Sequence, residues 1–401
     1  MDQLVFNPYD VEVQDNPLPT YAMMRDVDPV HLNLFGGWTL FNYADAQALL
    51  RDPRHSVEDA NVAPSGELSA IDQLRADRRG GSRAILNIDP PDHDRLRRLV
   101  SKAFTPRTVA ALEPRIQEMV HHYLDAIDAA GGGDIISDIA FPLPFLVISE
   151  MLGMPKEDSE IVREWSHAIV KTLDPILSEE ELLTAITSSD LMVEYVRERI
   201  VDKRSNPDDL LLSRLITAED DGDMLDEQEL LDQIILLYIA GHETTVNLIG
   251  NATLALLNHP DQMALLGANP DMGANATEEL LRWDSPVQYS RRIAITDFEI
   301  ADKSVKSGEF VLTCLGSANH DPKRWGPTAG VLDLAREGAG AHLSFGSGVH
   351  HCLGAALARL EGRVALTTIA SRFPTLSLAA PVTRNGRVVL RGLDALPVVI
   401  N

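Results

Sequence analysis

The stretch Phe345–Gly354, FGSGVHHCLG, puts three glycines, two histidines and a cysteine into ten residues. The adjoining segment, AALARLEGRVALTTIASRF, carries Leu357, Leu360, Val364 and Thr368 along one stripe and reads as a helix. Cys352 therefore stands just before a helix N-terminus, where the macrodipole and free N–H groups favour a thiolate. Glycines let the backbone turn tightly and let a flat partner come close. Backbone N–H groups in such a loop can point at sulfur and tune its electron density. A redox nucleophile, a zinc ligand and a haem ligand are all compatible with this setting. Zinc sites use three or four ligands at set spacings, and here Cys352, His350 and His351 come with no CxxC. A haem thiolate needs one cysteine. The plain alternative is a buried cysteine in a glycine turn.

A second stretch breaks local rules. LDEQELLDQIILLYIAGHETTVNLIGNATLALLNHP, residues 225–260, opens with Asp226 three residues before Glu229, a capping-box spacing, and ends at Pro260. At ~1.5 Å per residue it predicts a helix ~50 Å long, apolar nearly all round and so internal. Its middle holds Gly241, Thr244 and Thr245, poor helix formers, and the carboxylate of Glu243. Such conflicts are expected at functional sites. The competing reading is a kinked helix whose threonines bond back to their own turn, with Glu243 at a surface.

Bulk composition narrows the class. The chain has 401 residues, 45% hydrophobic and 24% charged, with no internal repeat. Its net charge of −25 (35 basic against 60 acidic residues) argues against a nucleic-acid partner. The N-terminus MDQLVFNPYD carries no basic segment followed by an apolar one, and no run reaches the ~20 apolar residues that cross a bilayer. No membrane anchor and a cytoplasmic location are therefore expected. The only cysteines, Cys314 and Cys352, rule out a disulfide framework, and Cys314 in FVLTCLG reads as core.

The pattern predicts a mainly α fold with a minor β part, as one domain over 1–401, with two separate domains as the alternative. VHLNLFGGWTLFNY alternates around Gly36-Gly37 and predicts a hairpin. Helical periodicity dominates from Pro91 to Pro260. RIQEMVHHYLDAI places Ile116, Met119, Val120, Tyr123, Leu124 and Ile127 on one face, and SSDLMVEYVRERIVDKRSNP predicts a helix ending near Asn206-Pro207. After residue 285, DFEIADKSVKSGEFVLTCL and LSLAAPVTRNGRVVLRGL read as strands, the second with an Asn385-Gly386 type I′ turn.

The pattern Phe345, Gly346, Gly348, His350, Cys352, Gly354 resembles the haem-binding loop of the cytochromes P450, and AGHETT (240–245) resembles that family's oxygen-activation motif. The likeness runs from about Asn7 to Ile400 and includes GSANHDP and RGLDALPV. It implies the cytochrome P450 fold, with the long helix over a haem b and the cysteine loop beneath it. It also implies Cys352 as axial iron ligand, Gly241 leaving room for dioxygen, and Thr244 and Glu243 handling protons. His242 takes no role. His93 and Arg97 in DPPDHDRLRRLVSKAFTPR, Arg292 in SRRIAITDFEI, and His350 match the donors to the haem propionates, for which charge-assisted hydrogen bonds are suited. Glu279 and Arg282 match a buried ion pair, with Arg336 in VLDLAR as candidate third partner.

The activity implied is monooxygenation: hydroxylation or epoxidation of a hydrophobic small molecule with O2 and two electrons. The partners implied are a ferredoxin and a ferredoxin reductase supplied with NAD(P)H, and the chain resembles the soluble bacterial members, expected to be monomeric. The substrate lining is expected from residues 61–83, 236–240, 287–290 and 388–390. The ferredoxin is expected on the cysteine side, at a basic patch of Arg95, Arg98, Lys102, Arg107, Arg359 and Arg363. A peroxide-driven haem-thiolate oxidase and a non-catalytic haem sensor are the rivals. Both dispense with the acid–threonine pair, which is intact here.

Overall fold

The computed structural model describes residues 5–33, 36–63, 81–220 and 222–401. The expected lining loop 61–83 falls largely outside them.

The central helix forms as its sequence predicts. It runs unbroken over Glu227–Asn258, and its start is a complete capping box: Asp226 accepts from the Glu229 N–H while Glu229 accepts from the Asp226 N–H. Around it pack the helices Pro142–Leu152, Ser159–Val170, Glu179–Ser205 and Ala355–Arg372, and Glu113–Ala130 packs on the last of these. Ile116, Met119, Val120, Leu124 and Ile127 are buried as the periodicity requires, and Tyr123 is half-buried. The Glu179–Ser205 helix stops at Asn206, immediately before Pro207. The largest apolar cluster joins residues from Val100 to Val398. The β part is small. Among the described residues, the main sheet orders its strands Val30–Leu32, Trp38–Leu40, Phe310–Cys314, Tyr289–Ala294, His55–Ser56. The expected N-terminal hairpin is its edge, with Val30 opposite Leu40.

One turn differs from expectation. Only Gly386 of the Asn385-Gly386 pair has a positive φ (68°), whereas type I′ needs two. Thr383–Arg384 pairs instead with Leu393–Ala395, and residues 385–392 bulge out between them. The Asn385 side chain braces this wider loop, its Nδ2 donating to the Leu390 carbonyl (3.1 Å) and its Oδ1 accepting from the Arg387 N–H (3.2 Å).

Beneath the central helix lies a buried ion cluster. Arg282 forks onto Glu279 (2.7 and 2.8 Å), and Arg336 Nε reaches both Glu279 oxygens (3.1 Å). The remaining Arg282 donors go to the carbonyls of Asn319, Ala329 and Val331. Arg336 is thus the third partner. Charges so deep are tolerated because each is paired and hydrogen-bonded. Glu279→Gln, leaving two buried guanidinium groups against a neutral amide, is expected to destabilise the fold by about 3–5 kcal/mol, read as a lowered midpoint of denaturant unfolding.

Two buried histidines contribute to acid sensitivity. Burial pushes His242 and His320 down to about 4, with Arg163 adding to the effect at His242 and Arg282 at His320. The unfolded chain protonates its histidines near ~6.5, so between about pH 6.5 and 4 it binds protons that the native state refuses. Stability is therefore fully present above that window and falls as pH drops through it, by up to about 1.4 kcal/mol per pH unit for each histidine. Denaturant midpoints measured from pH 7 to pH 4.5 should decline, and His242→Asn should flatten the decline.

Candidate haem-thiolate site

The cysteine loop is held from several directions. The Cys352 N–H donates to the Phe345 carbonyl (2.9 Å), which closes the loop on itself. Gly346 and Gly348 have φ of 70° and 74°, and a Cβ on Gly348 would run into the Leu50 carbonyl oxygen. Arg51 Nε donates to Ser347 Oγ (2.8 Å). The Arg359 guanidinium sits 4.5 Å above the Phe345 ring. Gly354 has an ordinary φ of −80°, and a side chain there would stand against the Cys352 sulfur. Cys314 is buried, as expected, whereas Cys352 is exposed. Desolvation pushes the Cys352 thiol up, while the Gly354 and Ala355 N–H groups and the Arg97 and Arg359 guanidinium groups pull it down.

Beside the loop the structure gathers the four predicted propionate donors. The rings of His93 and His350 lie 4.4 Å apart. Arg97, one turn beyond His93 on the helix Asp92–Ala103, donates to the His351 carbonyl (2.6 Å). Arg292, on the strand Tyr289–Ala294, is buried and spends Nη1 on Ser290 Oγ and its neighbour's carbonyl. Burial pushes His350 down to about 3, with Arg292, His93 and Arg97 adding their repulsion. Burial likewise brings Arg292 down to about 10, against the pull of Asp89. His93 Nε2 is buried and has no hydrogen-bond partner among the described residues.

The central helix meets the helix Ala355–Arg372 at close range: a Cβ on Gly362 would lie 3.0 Å from Leu248 Cδ2. Leu236 on the first and Leu353 beside the cysteine both pack against Ile85, Ile88 and Leu96. Ala240 is exposed and Thr244 half-buried on the intervening turn. Thr244 Oγ1 donates to the Ala240 carbonyl (3.2 Å), as the competing sequence reading held for the threonines. Glu243, however, is not at a surface, its side chain being only 12% exposed. Desolvation raises its pKa, opposed by Arg387 and Arg163. The absent Cβ of Gly241 would lie 2.9 Å from Ile148 Cγ1, so this glycine is required by the packing of the Pro142–Leu152 helix.

Val388 and Leu390 are buried apolar residues, and Leu390 bridges to Val287. Gln288 and Tyr289 instead turn to the Tyr21 hydroxyl (2.9 and 3.2 Å). The basic residues of the cysteine side are mostly paired within the chain. Arg98 and Lys102 share Asp220, Arg95 meets Glu229 and Asp223, Arg359 meets Glu278, and Arg363 meets Glu113. Sequence reading missed the groups around Glu243, because Arg387 and its partner His167 lie 220 residues apart. It also missed Glu361, buried beneath Thr245.

Comparison with known proteins places this geometry. The family model described as Cytochrome P450 matches residues 55–269 and 274–389. The polyketide biosynthesis cytochrome P450 PksS of Bacillus subtilis (strain 168) is 39% identical, with all of both chains covered. The 6-deoxyerythronolide B hydroxylase of Saccharopolyspora erythraea is 38% identical over 94% of this chain and 95% of its own. Among solved structures, P450BioI in complex with hexadec-9Z-enoic acid ligated acyl carrier protein superposes with a TM-score of 0.89 at 38% identity, covering 97% of this chain and all of that one.

The family's cofactor is haem iron, and the residues here fit such a group. An exposed cysteine stands beside backbone N–H donors, a buried imidazole nitrogen lacks a hydrogen-bond partner among the described residues, and two guanidinium groups crowd the His350 ring where a dianion would satisfy them. By family model, full-length relatives, fold and this donor set together, the chain belongs to the cytochrome P450 family.

Proposed function

We propose that this chain, acting as one domain and a monomer in the cytoplasm, binds haem b and hydroxylates or epoxidises a hydrophobic small molecule. It would use O2 and two electrons from a ferredoxin and its NAD(P)H-dependent reductase. The observation that carries the reading is the set of two guanidinium groups, Arg97 and Arg292, and two imidazoles, His93 and His350, beside an exposed cysteine. Cys352 Sγ would ligate the iron, and the four cationic or imidazole groups would face the propionates. When bound, the haem supplies the chemistry that activates dioxygen, which the thiolate favours by donating electron density.

The protein's own part is to orient the substrate and meter protons. The Thr244 hydroxyl, now donating to Ala240, is half-exposed and free to turn toward the reacting oxygen. Glu243 is a carboxyl whose affinity for protons is raised by desolvation, which suits a group that takes one proton and passes it on. The apolar residues Leu236, Val287, Val388 and Leu390 favour an apolar substrate. Two relatives are named for polyketide biosynthesis and for hydroxylation of 6-deoxyerythronolide B, which supports a small-molecule substrate. On the cysteine side, an acidic ferredoxin would compete with Asp220, Glu278 and Glu113 for the basic side chains they hold.

Thr244→Ala tests the proton role. The variant should keep haem and the substrate-induced spin-state shift, yet yield less product and more hydrogen peroxide per reduced cofactor consumed. Unchanged coupling would remove Thr244 from proton delivery.

A further inference from the structure

Glu243 is approached by charge from two segments and by a neutral imidazole from a third. From the loop 385–392, Arg387 Nη1 lies 3.7 Å from Glu243 Oε2. From the helix Ser159–Val170, Arg163 sits 4.2 Å over the Phe141 ring, with its charge felt at Glu243 and His242. From the central helix itself, His242 Nε2 lies 3.8 Å from Glu243 Oε1. His242 cannot serve as a cation here, since its Nδ1 is bonded to the Tyr238 carbonyl (2.7 Å) and burial keeps it neutral.

Arg387 has a second attachment. Its Nη2 lies 2.8 and 2.9 Å from the two ring nitrogens of His167. That ring is pushed down to about 4 by burial, then by Arg387, Lys171 and Arg163, so it is neutral near pH 7 and can accept at one nitrogen. The loop bearing Arg387 is pinned as well: Asp174 Oδ1 accepts from the N–H groups of Val388 (3.1 Å) and Val389 (2.8 Å). Arg387 is only 7% exposed. One guanidinium therefore links the Ser159–Val170 helix to the carboxylate of the central helix, next to the apolar residues Val388 and Leu390. A fork pre-organised in this way loses little freedom in making each contact.

We propose that Arg387 is a positioning residue for Glu243: braced by His167, its guanidinium holds the carboxylate and ties its place to the roof formed by residues 387–390 and the Ser159–Val170 helix. The inference rests on Glu243 carrying protons in the reaction. In each cycle Glu243 gives one proton toward Thr244 and regains one from solvent, and no other bond changes at these residues. Without Arg387, desolvation of Glu243 is opposed by Arg163 alone, and the carboxyl keeps its proton to higher pH.

The test uses the haem-loaded protein with no added substrate, reduced by NADPH through a ferredoxin and its reductase. The readouts are the infrared carboxyl stretch of Glu243 against pH, assigned by its loss in Glu243→Gln, and the ratio of NADPH to O2 consumed. That ratio rises as oxygen goes to water rather than peroxide. Arg387→Gln should move the Glu243 midpoint up by about one pH unit or more, and move the pH dependence of the ratio the same way. Arg387→Lys should restore part of both shifts, and Arg387→Gln should add nothing in the Glu243→Gln background. A Glu243 midpoint unmoved in both Arg387 variants, or an effect on the ratio that persists without Glu243, overturns the proposal. If Glu243→Gln leaves the ratio as in the wild type, the proton role of Glu243 fails, while the infrared midpoint still decides whether Arg387 holds it.

Discussion

Burying cationic and imidazole groups beside one another costs free energy unless enough anionic charge answers them. The structure accepts that cost next to Cys352. His93, Arg97, Arg292 and His350 come from three separate segments and converge there, with one imidazole nitrogen unsatisfied and another ring driven far below its ordinary pKa. In a chain of net charge −25, carboxylates are plentiful. Here Asp94 bonds His93 Nδ1 (3.0 Å) and Asp89 pulls on Arg292, yet His93 Nε2 keeps no partner among the described residues, which suits a dianionic cofactor held against the cysteine loop.

The contrast with the other buried charges is instructive. Glu279, Arg282 and Arg336 satisfy one another and use their remaining donors on backbone carbonyls and the Thr328 hydroxyl, so they stiffen the scaffold and have nothing left for a ligand. Glu278 likewise accepts from His342 and Arg359, and is held at about 2 despite its burial. Glu243 stands between these cases: desolvated, with cations near but at ion-pair rather than hydrogen-bond distance. A carboxyl so placed can change its protonation state without unravelling its surroundings.

Much of this is legible in the sequence because it is local. The capping box at Asp226, the stripe from Ile116 to Ile127, the stop at Asn206 and the cysteine loop are all written in spacings of a few residues. Arg336 is found because a resemblance supplies the need for a third partner. What escapes depends on partners far away in the chain. Asn385-Gly386 carries the signature of a tight hairpin, yet the strand that Thr383–Arg384 pairs with begins at Leu393. Gln288 and Tyr289 sit in an expected lining segment and are drawn to Tyr21. Gly241 suggests room for a ligand, but its missing side chain is used by Ile148. Arg98 and Lys102 look like a docking patch, but Asp220 stands between them. In each case residue type is read correctly, and the partner is set by tertiary packing.

The central claim is that the Cys352 sulfur is the ligand for which this loop is built. The visible spectrum of the freshly prepared, reduced carbon monoxide complex tests it most directly, in the wild type and in Cys352→His. The account predicts the red-shifted Soret band of thiolate ligation in the wild type and its loss in the variant with haem retained. A wild-type protein that binds haem yet never shows that band, or a variant that keeps it, would contradict the account.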